Sequence, residues 1–164
     1  MSGADELFEA NERFAGTFAG SGVPARPARR VAVLTCMDAR MHPETFLGLD
    51  IGDAHMIRNA GGRASDDALR SLVISNRLLG THEYLVIHHT DCGMLGLRND
   101  DLRAALVDDT GADASEIDFL PFSDLDQSVR DDVERIRASP FLPDDVVVTG
   151  YVYDVADGRL RKVE

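Results

Sequence analysis

Residues 30–40 read RVAVLTCMDAR. The β-branched, apolar run from Arg30 to Thr35 predicts a buried β-strand, and Cys36 follows it directly. Further along the chain, residues 83–93 read EYLVIHHTDCG, in which Glu83 to His88 predicts another buried strand. A histidine and a cysteine follow that strand, so side chains that can bind a metal come directly after two predicted strands.

The elements around these segments alternate between strands and helices. Further strands are predicted over residues 54–58 and 145–151, and a terminal hairpin is predicted over residues 152–155 and 159–163. Helices are predicted over residues 4–18, 42–48, 65–79, 99–110 and 123–138. This alternation predicts an α/β fold with a mostly parallel central β-sheet flanked by helices. Ligands bind such sheets at the carboxyl ends of the strands, which is where the candidate metal-binding side chains lie.

The length and net charge of the chain limit the number of domains and the kinds of partner that it can have. The chain has 164 residues, which we interpret as a single domain over 1–164. A formal net charge of −12 argues against partners such as nucleic acid and anionic membranes, which need basic surfaces. No window reaches the length of a membrane span, and residues 1–20 are acidic and unlike a secretion signal, so we expect a cytoplasmic location.

The chain contains only two cysteines, Cys36 and Cys92, and a structural disulfide is improbable in a reducing compartment. Together with His89 they form a ligand set that suits zinc, which binds sulfur and nitrogen. Three protein ligands leave a fourth position open, as in catalytic zinc sites, unless one of the other histidines closes it. From spacing alone, a buried apolar role for Cys36 is equally well supported.

Taken together, the motifs point to a protein family more specifically than any one of them does. The pattern CxDxR at residues 36–40, the segment Arg58-Asn59-Ala60-Gly61 and the pattern HxxCG at residues 89–93 together resemble the β-class carbonic anhydrases. The resemblance is strongest from about Val31 to Gly93. It implies one Zn²⁺ per chain, bound by Cys36, His89 and Cys92, and reversible hydration of carbon dioxide to bicarbonate and a proton by zinc-bound hydroxide.

The resemblance also implies an assembly and two further functional residues. We expect a homodimer or a dimer of dimers, with the active-site cleft at the subunit interface and with residues 1–20 as an N-terminal helix in the dimer contact. Asp38 and Arg40 are expected to be catalytic, and Asp38 would be a fourth zinc ligand in a closed state only. Without the resemblance, an ordinary structural ion pair would be the better interpretation of these two residues.

The predicted substrate pocket departs from plant-type members. Those members carry a glutamine nine residues before the first cysteine, where this chain has Pro27, and an aromatic pair near the positions of His55 and Ile74. Two alternatives therefore remain open. One is hydrolysis of carbonyl sulfide or carbon disulfide on the same zinc site, and the other is a zinc-binding or thiol-sensing protein without turnover.

Overall fold

In the computed structural model, which describes residues 2–164, strands and helices alternate along the chain. Within these residues, the strands β1 to β5 cover Val31–Cys36, Ala54–Asn59, Glu83–His89, Val147–Tyr153 and Leu160–Val163. The α-helices α1 to α5 cover Gly3–Ala15, Pro43–Phe46, Asp66–Arg77, Asn99–Thr110 and Leu125–Arg137. A short 3-10 turn, Ala60–Gly62, follows β2 directly.

The five strands form one sheet in the spatial order β2-β1-β3-β4-β5. Strands β1 to β4 pair in parallel, and β5 pairs antiparallel with β4. The predicted α/β fold with a mostly parallel sheet flanked by helices is therefore confirmed. Because β1 and β3 are neighbours, with Thr35 in register with Ile87, their carboxyl ends lie side by side.

Apolar side chains are buried on both faces of the sheet. One core contains Leu34 of β1 together with Leu72 of α3 and Val129 of α5. The other contains Val33, because consecutive residues of a strand face opposite sides. The two cysteines, at the end of β1 and after β3, also belong to this second core. Burial on both faces explains why β1 has an uninterrupted apolar sequence instead of an alternating one.

Side-chain caps set the starts of α3 and α5. The Ser65 hydroxyl accepts a hydrogen bond from the Ala68 amide at 3.3 Å, which confirms the predicted start of α3. Asp124 accepts one from the Gln127 amide at 2.8 Å, so α5 begins at Leu125 and not at the predicted residue 123.

The first helix is shorter than predicted. It ends at Ala15 rather than at residue 18, because Gly16 caps it and the chain turns there. At its start, the Ser2 hydroxyl accepts a hydrogen bond from the Asp5 amide, and the Asp5 carboxylate accepts one from the Ser2 amide at 2.8 Å. None of the residues of α1 is buried.

Other predicted boundaries also differ from the structure, most clearly those of α2 and β4. The helix predicted over residues 42–48 is a single turn, Pro43–Phe46, which Leu47 caps. The strand predicted over 145–151 continues to Tyr153, because its parallel pairing with β3 extends to the end of that strand, so residues 152–153 belong to β4 and not to a separate hairpin arm. None of the helices within residues 2–164 is long and apolar enough to span a bilayer.

Candidate metal centre

Three side chains that can bind a metal converge at the carboxyl edge of the sheet. Cys36 is the last residue of β1, His89 is the last residue of β3, and Cys92 lies in the turn that follows β3. All three are buried, and their candidate ligand atoms lie within 4.8 Å of one another. The structure therefore brings together the three residues that the sequence singles out, and both cysteines are free thiols.

The ring of His89 is oriented to bind a cation. Its Nδ1 donates a hydrogen bond to the Thr90 carbonyl oxygen at 2.8 Å, which leaves the lone pair on Nε2. Among the buried side-chain nitrogen and oxygen atoms of residues 2–164, His89 Nε2 alone has no hydrogen-bond partner. Buried polar atoms are almost always satisfied, so a metal ion is a partner that fits this atom.

The two thiols influence each other's ionisation. The pKa of Cys36 is lowered chiefly because the Cys92 thiol donates a hydrogen bond to its sulfur, and although burial opposes this, His89 and backbone amides add to it. The pKa of Cys92 is raised, first because its proton is held by Cys36 and then because of burial. A cation beside the pair would favour ionisation of the second thiol, and zinc fits a set of two thiolates and one imidazole.

Arg40 holds two carboxylates beside the cluster. Its Nε and Nη2 donate hydrogen bonds to the two oxygens of Asp38 at 3.0 and 2.7 Å, and Nη1 donates one to Asp91 at 2.6 Å. The side-chain hydrogen bonds from Arg40 hold the pKa of Asp38 well below its usual range. Asp38 Oδ2 lies 3.8 Å from His89 Nε2, so an ionised carboxylate faces the candidate ligands.

Two residues support the cluster in roles that were not predicted from the sequence. Arg58 donates from Nε to the Cys36 carbonyl at 3.0 Å and from Nη2 to the Asp38 carbonyl at 2.8 Å, so it fixes the backbone between them. Gly62 has a φ of +69°, and a Cβ added there would lie 2.9 Å from the Cys36 amide nitrogen. The double glycine after Asn59 was a visible signal, but only the tertiary structure reveals this close approach.

Two of the other histidines, His88 and His55, make contacts away from the cluster. His88 precedes His89 in β3 and bonds instead to Ser128 and Asp132 of α5. His55 Nδ1 lies 2.7 Å from the Ser75 hydroxyl, and His55 lines a surface depression of about 330 Å³ together with Ile74. The structure thus brings the two pocket positions together, but none of the candidate metal ligands lines that depression.

The chain is similar to known proteins along its whole length. Residues 31–160 match the family model described as Carbonic anhydrase. Beta-carbonic anhydrase 1 of Mycobacterium tuberculosis is 41% identical over 165 aligned residues, which cover 99% of each sequence. Carbon disulfide hydrolase of an Acidianus species is 39% identical, with 86% of this chain and 79% of the relative covered. The solved structure of carbonic anhydrase from Streptococcus mutans superposes with a TM-score of 0.96 at 46% identity, covering 100% of this chain and 99% of that one.

Proposed function

The chain belongs to the β-class carbonic anhydrases, and we propose that it catalyses the zinc-dependent, reversible hydration of carbon dioxide to bicarbonate and a proton. The observation that carries this proposal is the convergence of Cys36, His89 and Cys92 within 4.8 Å of one another. These three side chains are the proposed ligands of one zinc ion per chain. Asp38 is the proposed catalytic residue, and Arg40 acts through it.

The residues around the cluster suit the chemistry of hydration. An oxygen–carbon bond forms, one C=O π pair moves onto oxygen, and one proton leaves. When bound, zinc supplies a Lewis acid that makes water a nucleophile near neutral pH. The ionised Asp38 carboxylate accepts a hydrogen bond from the attacking oxygen and directs its lone pair at carbon. Arg40 keeps that carboxylate charged and fixed, because it engages both oxygens.

The closed state is a separate part of the proposal. In the arrangement described above, Arg40 holds both oxygens of Asp38, so a metal bound by Cys36, His89 and Cys92 would keep a coordination position for water. If Asp38 left Arg40, its carboxylate would already be close enough to the His89 ring, at 3.8 Å from Nε2, to reach the same position. We propose that Asp38 is a ligand in that closed state only.

Zinc content and turnover, measured together, test the function. Elemental analysis should find about one zinc per chain, and a stopped-flow assay with a pH indicator should detect carbon dioxide hydration. Asp38→Asn should keep its zinc and lose most of its activity. Asp126→Asn, which removes a carboxylate paired with Arg161 on the surface, is the matched control and should behave as wild type. A protein that keeps zinc but hydrates no carbon dioxide would instead support the sensor alternative.

Hydrolysis of carbonyl sulfide or carbon disulfide is the second candidate function, and the 39% identity to the Acidianus carbon disulfide hydrolase favours it. The nucleophile would be the same, and the substrate pocket would decide between the gases. Side-by-side assays of the three gases distinguish the two functions. A specificity constant for carbonyl sulfide or carbon disulfide far above that for carbon dioxide would reverse the assignment.

We further propose that the protein is a homodimer in which α1 of one copy packs on the other. In α1, Leu7 is 74% exposed and Phe8 is 65% exposed, and no residue of the helix is buried in its own chain. An isolated helix of 13 residues is marginally stable in water even with good caps. Its large apolar side chains therefore need a surface from another molecule.

The proposed acceptor is a groove of about 610 Å³ between α3 and the end of α5, which we call the α3–α5 groove. Its apolar lining includes Leu69, Val73, Ile74 and Phe141. The lining also contains Arg70 and Arg135, which pair with Asp67 and Asp66 within one chain. In the proposed dimer these arginines would face α1, GADELFEANERFA, which carries four acidic residues and one basic residue. Ile74 also lines the depression around His55, so a copy docked in the groove would lie beside that depression.

Light scattering at micromolar concentration tests this assembly, and we expect at least a dimer. Phe141→Glu places a charge in the α3–α5 groove at a position that is 67% exposed in one chain, so it should dissociate the dimer without unfolding it. Val107→Glu, at an exposed apolar position of α4, is the matched control and should remain dimeric. A monomer of wild-type protein that is fully active would refute the proposal.

A cytoplasmic location is the last part of the proposal. Both cysteines are free and buried close together, as expected for a protein that works in a reducing compartment. Fractionation of cells that express the tagged protein would test it, and recovery outside the cytoplasm would contradict it.

A further inference from the structure

A buried ionic cluster lies outside the reaction described above. Asp132 of α5 is 2% exposed, and its carboxylate accepts hydrogen bonds from Arg63 Nε at 2.7 Å and from His88 Nε2 at 3.1 Å. Burial opposes ionisation of Asp132, yet the hydrogen bonds from His88 and Arg63 bring its pKa below the usual value. Burying charges is costly, and an apolar replacement is often as stable, so the cluster is better explained by what it positions.

Phe122 lies against this cluster. The His88 ring stacks on the Phe122 ring with centroids 5.6 Å apart, and the Arg63 guanidinium carbon lies 5.5 Å from the same ring. Arg63 Nη1 also donates a hydrogen bond to the Leu120 carbonyl at 2.9 Å. Leu120 has a φ of +54°, which a branched residue rarely adopts, so this contact holds the segment before Phe122 in a strained conformation.

Backbone hydrogen bonds join Phe122 to the turn that carries Cys92. The Phe122 carbonyl accepts from the Gly96 amide at 2.8 Å, and the Phe122 amide donates to the Met94 carbonyl at 3.3 Å. Within residues 2–164, these are the long-range backbone hydrogen bonds of the turn over residues 92–96. Cys36 and His89 end strands that the sheet fixes. The turn that carries Cys92 is held on one side by Arg40, which donates to the Asp91 carbonyl at 3.0 Å, and on the other side by Phe122.

We propose that Arg63, Asp132 and His88 are positioning residues for the metal site, which act through Phe122 to fix Cys92 against the other two ligands. The inference rests on the proposed ligation of zinc by Cys92. A turn that moves more freely lets the Cys92 sulfur leave the metal sooner. The cluster therefore controls how firmly the metal is held, in addition to any effect on folding.

The rate of zinc transfer to a chromophoric chelator and the visible spectrum of the Co²⁺-substituted protein test this inference. Arg63→Lys keeps the positive charge but loses the two-point contact with Asp132, and Asp132→Asn removes the negative charge. We expect each variant to release zinc about 10- to 100-fold faster than wild type and to shift the cobalt–thiolate absorption. Asp126→Asn, which breaks an exposed pair of the same helix, should change neither measurement.

A purely structural role predicts a different result. It would lower the melting temperature of the zinc-free protein and leave zinc release and the cobalt spectrum of the folded protein unchanged, which would overturn the inference. If Asp132→Asn does not fold, Arg63→Lys and Phe122→Leu test the inference in its place. Phe122→Leu keeps an apolar side chain and the backbone hydrogen bonds. It should release zinc faster than wild type, but by a smaller factor than the other variants.

Cys92→Ser separates this inference from the proposed function. If that variant keeps its zinc, the ligand assignment fails, and the inference fails with it. If Cys92→Ser loses zinc while Arg63→Lys releases zinc at the wild-type rate, the ligand assignment stands and only the positioning role is wrong.

Discussion

The ligand cluster and α1 differ in how much of their surroundings one chain provides. Cys36, His89 and Cys92 are buried among residues of their own chain, and hydrogen bonds from Arg40 and Arg58 brace the segment around Asp38. By contrast, α1 has a complete capping box and no buried residue. The capping box defines where α1 begins, and the proposed dimer would supply the packing surface that a 13-residue helix needs.

Each of the two regions is proposed to need a partner that the chain itself does not supply. The candidate metal site has its side chains in place, and a metal ion fits the lone pair on His89 Nε2. The first helix has its capping hydrogen bonds in place, and its exposed apolar side chains fit the surface that the proposed dimer would supply. Damage to one region should therefore leave the other intact, and the following variants test that independence.

Arg40→Ala should have the largest effect. Without the two hydrogen bonds from Arg40, Asp38 is no longer held ionised in one orientation. We therefore expect kcat/KM to fall on the order of 10²- to 10³-fold. Zinc content and oligomeric state should stay as in wild type. Steady-state hydration assays measure the activity, and elemental analysis measures the zinc content. Arg161→Ala is the control, because it removes a similar pair of hydrogen bonds, from Arg161 to Asp126, outside the site. Activity near the wild-type level would show that the pair is only structural.

Gly62→Ala should disturb the cluster through its backbone. The new Cβ would lie 2.9 Å from the Cys36 amide nitrogen, and the residue has a φ of +69°. We therefore expect the free energy of unfolding to fall. The loss should be on the order of 3 kcal/mol in urea denaturation. Gly22→Ala is the control, because Gly22 has a φ of +85° with nothing within 4 Å of an added Cβ. It should cost only the conformational part, about 1–2 kcal/mol, and equal losses would contradict the close-approach argument.

Phe8→Glu tests the other side of the comparison. The side chain is 65% exposed in one chain, so the substitution should not unfold the protomer, but it should weaken the dimer by about 2 kcal/mol or more. Sedimentation equilibrium measures the dissociation constant, and zinc content reports on the cluster. A dimer of unchanged affinity would mean that α1 is not at the interface.

The smallest effect belongs to an ion pair outside both regions. A side-chain hydrogen bond from Arg161 lowers the pKa of Asp126, so this pair stabilises the fold above the unfolded-state pKa of about 3.9. Its contribution is lost as the pH falls through the lower folded-state pKa. Because both side chains are partly exposed, we expect less than about 1 kcal/mol. In urea titrations, the difference between wild type and Asp126→Asn should shrink toward zero below about pH 4; a difference that grows there would contradict the assignment.

The sequence was sufficient for the fold class and for the residues that meet at the sheet edge. Apolar, β-branched runs before Cys36 and His89 predicted buried strands, and parallel strands bring their carboxyl ends to one edge. The extent of β4 could not be read in the same way, because the parallel register with β3, and not the local composition, carries it to Tyr153.

The ionic cluster was missed although the sequence held a signal for it. Asp132 lies on the apolar side of α5 between Val129 and Ile136, where a charge has to find a buried partner. The partner could not be identified, because Arg63 is far away in the chain and only the tertiary structure brings it to α5. His88 could have been assigned to the side of β3 opposite to His89, because adjacent residues of a strand point in opposite directions.

The order of the strands has a consequence for folding kinetics. The ligands come from the ends of β1 and β3, and both β2 and α3 lie between them in the chain. An unfolded chain therefore offers no preformed site, and we expect zinc to bind after this crossover has closed. Closing a parallel crossover is slow, so it sets the refolding rate before the metal contributes. We therefore expect a chelator to accelerate unfolding, as followed by stopped-flow circular dichroism, while it leaves the refolding rate unchanged.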